Sequence, residues 1–303
     1  MISCPTVSKP DIRFHYDLTT VFYRLLWGRH IHHGLWDAPF VASNSDGRIL
    51  DETNGGRPSV PVSAIIAAQQ LTETLAREAR IGRNEAVLDV GCGMGGSSIH
   101  LARSLGCHVT GVTLSPFQRL WAKTAARWHG VGQSVSFRCA DAEQVAFDDA
   151  SFDVVWSVEC TEHLFDKGAF FRRAARWLKP GGRLAICAWL AGDHPLDEGA
   201  TRQVYDVCEG FLCPSLGTRD DYAGWFADAG LTLEHDYDWT ARVTRTWELC
   251  DERVRRSGVR WLARIIDRNT VTFLDRFQTI LKAYQTGAMK YGCFIATRKE
   301  PPN

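Results

Sequence analysis

The chain has 303 residues, 45% of them hydrophobic and 23% charged, enough for one large α/β domain with additions. Its formal net charge is zero, which gives no support to an obligate nucleic-acid binder, usually a basic protein. No apolar run is long enough to span a bilayer and no signal-peptide pattern opens the chain, so a cytoplasmic protein without stable membrane insertion is expected.

Residues 1–10 read as a loose tail. Residues 11–45 carry Tyr16-Asp17 and the run from Trp27 to Trp36. Residues 46–61, rich in Gly, Asn, Ser and Pro, read as a loop. From Ser63 to Arg80 apolar residues recur at helical spacing (Ile65, Ile66, Leu71, Leu75). Strand patterns follow at 86–90, 107–112, 134–138, 153–158 and 183–189. Helical patterns at 116–129 and 168–178 lie between them, the second stopping at Lys179-Pro180-Gly181-Gly182. Such alternation predicts a parallel, doubly wound α/β sheet. Beyond it come an insertion of mixed polarity (190–217), a helix (220–229), a strand (231–238) and a long helical stretch (243–284). A last strand at 291–297 is expected to insert antiparallel beside the fifth.

The most informative run is Leu88-Asp89-Val90-Gly91-Cys92-Gly93-Met94-Gly95-Gly96, where the first strand enters a glycine-rich turn before the helix at Ser97. Such a turn lets backbone approach a ligand closely, and the helix start offers unpaired N–H groups. Asp89 can accept hydrogen bonds from a cationic amine. A cofactor with an ammonium group and a nucleoside suits this site, which points to S-adenosylmethionine. Gly91, Gly93 and Gly96 also satisfy the dinucleotide pattern, but that reading needs an acid ending the next strand, and Thr113 stands there. Thr113, Leu114 and Gln118 are the candidates for the ribose region. Gln118 is read either as a ribose partner or as an exposed helix residue. Asp141-Ala142-Glu143 follows strand three, with Asp141 contacting adenine, capping a helix N-terminus, or both.

Ten cysteines include no C-x-x-C pair, so no metal site is expected, and a metal role for Cys208 and Cys213 carries little weight. Eleven tryptophans are many. Several of Trp27, Trp36, Trp189, Trp225, Trp239, Trp247 and Trp261 are expected to line a substrate chamber, against core packing as the default.

Five motifs occur in order: Trp27-Gly28 with His32-His33-Gly34, the glycine run, Gly111-Val112-Thr113-Leu114-Ser115-Pro116, Glu159-Cys160-Thr161-Glu162-His163, and Leu178-Lys179-Pro180-Gly181-Gly182. Asp238-Trp239-Thr240 with Trp247, and Ala288-Met289-Lys290-Tyr291-Gly292, extend the series. Together they resemble the class I S-adenosylmethionine-dependent methyltransferases, within them the γ-tocopherol methyltransferase-like group. His15-Tyr16-Asp17-Leu18 also resembles the N-terminal segment of the related cyclopropane fatty acid synthases. The resemblance implies a seven-stranded, mostly parallel Rossmann-like sheet. It also implies an N-terminal lid (1–62) over a cofactor core (63–190), with Tyr16 near the methionine moiety. Residues 191–303 then add the substrate-side insertion, the long helical region and the closing strands. Gly91, Cys92 and Gly93 become cofactor contacts, with S-adenosylhomocysteine as product.

Methyl transfer is an in-line displacement and mainly needs orientation of the acceptor. Glu159, at the end of strand four, is the candidate to take a proton or stabilise a developing cation. His163 is a candidate general base. Against this, Glu162 and His163 form a structural polar cluster. His32 and His33 either meet the acceptor or close the lid. Phe14, Trp36, Phe40, Phe211 and Trp225 suggest an aromatic or prenyl-derived acceptor, methylated at carbon, nitrogen or oxygen in secondary or quinone-like metabolism. Three other readings are a cyclase using S-adenosylmethionine structurally, a cyclopropane synthase-like lipid enzyme and a nicotinamide oxidoreductase. No basic membrane-facing helix occurs in the first third, which weighs against the lipid enzyme. Arg242, Arg245, Arg253, Arg255 and Arg256 read as a solvated helical face rather than a diphosphate site. Homo-oligomer formation stays open.

Overall fold

The computed structural model describes residues 1–36, 63–193, 195–256 and 268–299. The 46–61 loop, Phe40 and Trp261 lie outside them, as do the side chains of Trp27, Arg253 and Arg255. In chain order the elements are β1 (Ile2–Ser3), α1 (Lys9–Trp27), α2 (Ala64–Glu78), β2 (Ala86–Val90), α3 (Gly96–Leu105), β3 (His108–Thr113), α4 (Pro116–Trp128) and β4 (Val135–Cys139). Then follow β5 (Phe152–Val158), α5 (Lys167–Trp177), β6 (Leu178–Ala191), α6 (Glu198–Phe211), β7 (Ser215–Leu216) and α7 (Arg219–Asp228). The last are β8 (Leu231–Asp238), α8 (Thr240–Val243), α9 (Arg245–Arg256), α10 (Arg268–Gln285) and β9 (Met289–Arg298).

The main sheet has seven strands in the order β4-β3-β2-β5-β6-β9-β8. Only β9 runs against the rest, pairing antiparallel with β6 and β8. This is the expected Rossmann-like sheet, with the late strand beside the fifth. The reversal between β2–β3–β4 and β2–β5–β6 puts the ligand crevice at the carboxyl ends of β2 and β5.

Successive strand residues point to opposite faces. Val87, Val109, Val154 and Ala185 enter one core, while Leu88, Val155, Leu184 and Ile186 enter the other. The strands therefore read as continuous apolar runs, as expected for a sheet covered on both sides. Helix starts are capped by short polar side chains: Ser8, Ser63, Ser115, Asp166, Asp197 and Thr218 each accept a backbone N–H.

Three expectations change. Residues 1–10 are not a loose tail: Ile2–Ser3 pairs antiparallel with Ser215–Leu216, Cys4 is buried, and α1 begins at Lys9. The partner strand lies more than two hundred residues away, so no local pattern announces it. The insertion 190–217 contains the long helix α6, whose Val204, Val207, Cys208 and Phe211 turn into the core. The fifth strand begins at Leu178 and carries the Lys-Pro-Gly-Gly turn within it, with a register shift opposite Phe152 and Val154.

Candidate active site

A cleft with about 800 Å³ of empty space opens at the carboxyl ends of β2 to β5. Gly91 and Gly93 form its floor. A Cβ on Gly93 would meet nothing within 4 Å, so a ligand can rest directly on this backbone, and its φ of +51° favours glycine. At Gly96 the reason is different. A Cβ there would stand 2.4 Å from the Arg29 carbonyl oxygen, because residues 29 and 30 cross over the turn.

Thr113, Leu114 and Gln118 line the same cleft, as do Asp141, Ala142, Glu143 and Tyr16. Gln118 is buried rather than exposed. Its Oε1 accepts from the Thr113 hydroxyl (2.9 Å) and its Nε2 donates to the Thr20 hydroxyl (3.1 Å). Asp141 Oδ1 caps its turn by accepting the Glu143 N–H (2.9 Å), and its Oδ2 takes Lys9 Nζ at 2.6 Å. Glu143 takes the same ammonium at 2.5 Å and the N–H groups of Phe165 and Asp166. Lys9, which sequence reasoning missed, thus offsets both carboxylates. Asp89 and Cys92 stand apart from this cleft. They line a smaller cavity behind the turn, with Arg29, His30 and Trp156. Burial raises the Asp89 carboxyl to about 6, and its oxygen accepts from the Ser98 hydroxyl.

A second space, about 500 Å³, adjoins the cleft and shares Tyr16, Ile31, Glu159 and His163 with it. Trp189, Phe211 and Trp247 form its aromatic wall, and His32, His33 and Glu162 complete it. Glu159 sits just past β5 with φ +52°, a left-handed backbone that is strained for a non-glycine residue. Three donors converge on its Oε1: the His33 N–H (2.8 Å), His33 Nδ1 (2.9 Å) and the Tyr291 hydroxyl (2.8 Å). None of these bonds uses Oε2. The Trp247 indole N–H, which only donates, ends on His33 Nε2 at 2.5 Å, so Nδ1 carries the proton that meets Glu159. Burial opposes ionisation of Glu159, but the electrostatic and hydrogen-bonding pull of His33, with His32 behind it, holds its pKa at about 2.

His163 behaves differently. Its Nδ1 donates to the Leu212 carbonyl (3.0 Å), so Nε2 accepts from the Tyr16 hydroxyl (2.8 Å). Burial lowers its pKa to about 4, leaving a neutral imidazole. Glu162 is also neutral near pH 7. Burial pushes it up to about 8; its Oε1 accepts the Trp189 backbone N–H, and its Oε2 has no hydrogen-bond partner.

Two aromatic expectations need correction. Trp225 does not enter the chamber. It stacks on Phe171 and meets Tyr222 in the core on the opposite face of the sheet. Trp36 does not line the chamber either; it packs with Ala64 and Ala67 and donates to the Thr246 hydroxyl (3.0 Å). Phe211, Trp189 and Trp247 line the second space, whereas Trp239 stacks near Tyr237 and carries Arg242 over its ring. Arg245 pairs with Glu248 (2.7 Å). Phe14 is exposed. Among the described residues no cluster of His, Cys, Asp or Glu is arranged to hold a metal.

A glycine-floored cleft at a topological switch point, beside an aromatic chamber, defines a cofactor-dependent α/β enzyme. The methyltransferase-domain family model matches residues 88–186. The chain is 31% identical to 2-methyl-6-phytyl-1,4-hydroquinone methyltransferase of Synechocystis, over 90% of this chain and 82% of that one. It is 29% identical to the chloroplastic tocopherol O-methyltransferase of Arabidopsis thaliana, over 97% and 82%. The cyclopropane synthase MmaA2 from Mycobacterium tuberculosis has the same fold, with a TM-score of 0.78 at 18% identity, covering 96% of this chain and 99% of that one. The chain belongs to the class I S-adenosylmethionine-dependent methyltransferases, in the γ-tocopherol methyltransferase-like group. Its cofactor is S-adenosylmethionine, and the open backbone over Gly93 fits such a ligand.

Proposed function

We propose that the enzyme methylates a hydrophobic small molecule, aromatic or prenyl-derived, held in the chamber with its accepting atom against Glu159. One observation carries this reading: an ionised carboxylate stands where the cofactor cleft meets a wall of Trp189, Phe211 and Trp247. Two relatives, named for a tocopherol and for a methyl-phytyl-hydroquinone, support it.

When bound, S-adenosylmethionine supplies an electrophilic methyl group and leaves as S-adenosylhomocysteine. Gly91 and Gly93 would lie along it, with Asp89 and Cys92 behind the turn. Thr113, Leu114 and Gln118 would surround the ribose, and Asp141, Ala142 and Glu143 the adenine. Tyr16 would close over the methionine end. The protein's own work is chiefly positional. The aromatic wall excludes water and presents π faces to positive charge. Glu159 attracts a developing cation and, held at about 2, takes a proton through Oε2 only once methylation has made the accepting atom cationic. His163, held neutral, fixes the Tyr16 hydroxyl between cleft and chamber. His32 and His33 brace the wall, His33 by aiming Glu159. The described part of the N-terminal segment, residues 1–36, serves as a lid on the core 63–190, because residues 29 and 30 cross the glycine turn and His33 reaches Glu159. The described residues of 191–303 complete the acceptor side, through Phe211, Trp247 and Tyr291. Among the described residues no helix is long and apolar enough to cross a membrane, and this reading keeps the enzyme in the cytoplasm.

Calorimetric titration with S-adenosylhomocysteine, using NADH as control, tests the cofactor half. Micromolar binding of the first alone is expected. Mass spectrometry of trimethylhydroquinone and prenylated phenols incubated with S-adenosylmethionine tests the rest. A gain of one methylene is expected; an acceptor converted without that gain would overturn the reading.

A further inference from the structure

Helix α4 carries two stripes of apolar residues. The inner one is small: Ala122 and Ala126 are buried against the body of the protein, with Gln118. The outer one is large. Phe117, Leu120, Trp121 and Trp128 recur at helical spacing and are 39, 59, 41 and 87% exposed. An ordinary surface helix turns its large apolar side chains inward and its charges outward. Here the large side chains face out. The charges flanking them on α4 are Arg119, Lys123 and Arg127, and the helix has no acidic residue.

The stripe walls a wide groove with about 2100 Å³ of empty space, open to solvent. Arg24, Arg29 and Arg103 lie along it, with His100 and His129; among the described residues neither Asp nor Glu lines it, and Glu73 stands behind it, 3.5 Å from His100. On a chain of zero net charge this is a local concentration of cations beside exposed indole rings. Tryptophan and leucine flanked by lysine and arginine suit the boundary between lipid headgroups and acyl chains.

We propose that α4 and this groove dock the enzyme on an anionic lipid surface, with Leu120, Trp121 and Trp128 entering the headgroup boundary and the basic residues meeting lipid phosphates. Charge selects this occupant over a second copy of the chain. A two-fold contact through the same patch would set its arginines against their equivalents. The chain's own residues 37–62 hold Asp37, Asp46, Asp51 and Glu52 against Arg48 and Arg57, so they are the competing occupant on charge, and the quenching measurement below separates them from lipid. The groove shares Arg29, His30, Met94 and Gly96 with the small cavity behind the glycine turn. That cavity in turn shares Ile31 and His32 with the acceptor chamber, which gives a lipophilic acceptor leaving the bilayer a route towards the site; this last step rests on the function proposed above, while docking itself does not.

The test is flotation of the full-length protein with vesicles of phosphatidylcholine alone or mixed with phosphatidylglycerol. Binding to the mixed vesicles, weakened by high salt, is expected, with little binding to phosphatidylcholine alone. Leu120→Ser with Trp121→Ser and Trp128→Ser is expected to lower the partition coefficient roughly tenfold or more, and Lys123→Glu with Arg127→Glu to act similarly. Trp128→Ser alone is the milder control, and unchanged S-adenosylhomocysteine affinity certifies folding of each variant. No binding to anionic vesicles, or equal binding by folded variants, overturns the proposal. So does a wild-type dimer that these substitutions dissociate, which would make the stripe a self-association surface. Protection of Trp128 from acrylamide quenching without lipid would also overturn it, since the chain itself would then cover the stripe. Docking with no methyl transfer to any hydrophobic acceptor would leave the proposal standing and sink the functional reading instead.

Discussion

The cofactor cleft and the acceptor chamber share Glu159 and His163, yet they are built in opposite ways. The cleft is made of strand ends and turns next to one another in the sheet, its floor is backbone, and Lys9 compensates its carboxylates. The chamber is made of side chains from α1, the 31–33 segment, β6, α6 and α9, locked by one another. The contrast is sharpest between two glutamates three residues apart. Both are buried. Glu159 receives three hydrogen bonds on one oxygen and is held at about 2; Glu162 receives one and is pushed up to about 8. Burial raises a carboxyl unless specific donors outweigh it. The chamber therefore offers an incoming molecule one fixed negative charge and one neutral acid.

The largest expected effect comes from removing that charge. Glu159→Gln keeps the shape and should lower kcat by about a hundredfold to ten-thousandfold, the usual range for a positioned proton acceptor. Affinity for S-adenosylhomocysteine, read by calorimetry, should hardly move. A variant that kept its kcat would show that the junction only orients the acceptor. On the cleft side, Gly93→Val should do the reverse. It strains a backbone at φ +51° and fills the space over the floor, so S-adenosylhomocysteine affinity should fall by roughly tenfold to a hundredfold. Unchanged affinity would mean that the ligand does not lie on this turn.

Glu162 gives a pH signature. Its folded pKa, about 8, lies above the ordinary 4.5, so the folded state binds the proton more tightly than the unfolded one. The stability this contributes is fully present below pH 4.5 and is lost as pH rises towards 8. Glu162→Gln should remove that loss, so the variant should gain on the wild type in melting temperature from pH 5 to pH 8. His163 has the opposite sign. Its pKa falls from 6.5 to about 4, so its contribution is lost as pH drops through that interval. Parallel curves for wild type and Glu162→Gln would mean that the carboxyl is ionised and has a partner.

What could be read in the sequence follows the same division. The turn from Leu88 to Gly96 and the strand ends at Thr113 and Asp141 are contiguous patterns, and Gly91, Gly93, Thr113 and Asp141 from them line one cleft. The chamber depends on which residues meet across the fold. Glu159 was legible from its place after β5, but not its coupling to His33, Trp247 and Tyr291. Aromatic content alone misplaced Trp225 and Trp36, because tryptophan is as useful in either core of a two-faced sheet as in a chamber. Lys9 was hidden for the same reason as β1: its partners lie more than one hundred and thirty residues away.

Lys9 supplies the smallest expected effect. Its ammonium bridges Asp141 and Glu143 at the cleft rim, with 29% of the side chain exposed, where water screens such pairs to roughly 1 kcal/mol or less. Lys9→Ala should change the melting temperature only slightly. It should weaken S-adenosylhomocysteine binding by about twofold to fivefold at low salt, and the difference should shrink as salt rises. A much larger loss would mean that the two carboxylates, once uncompensated, repel each other enough to open the adenine side of the cleft. The cleft would then depend on a distant side chain as heavily as the chamber does.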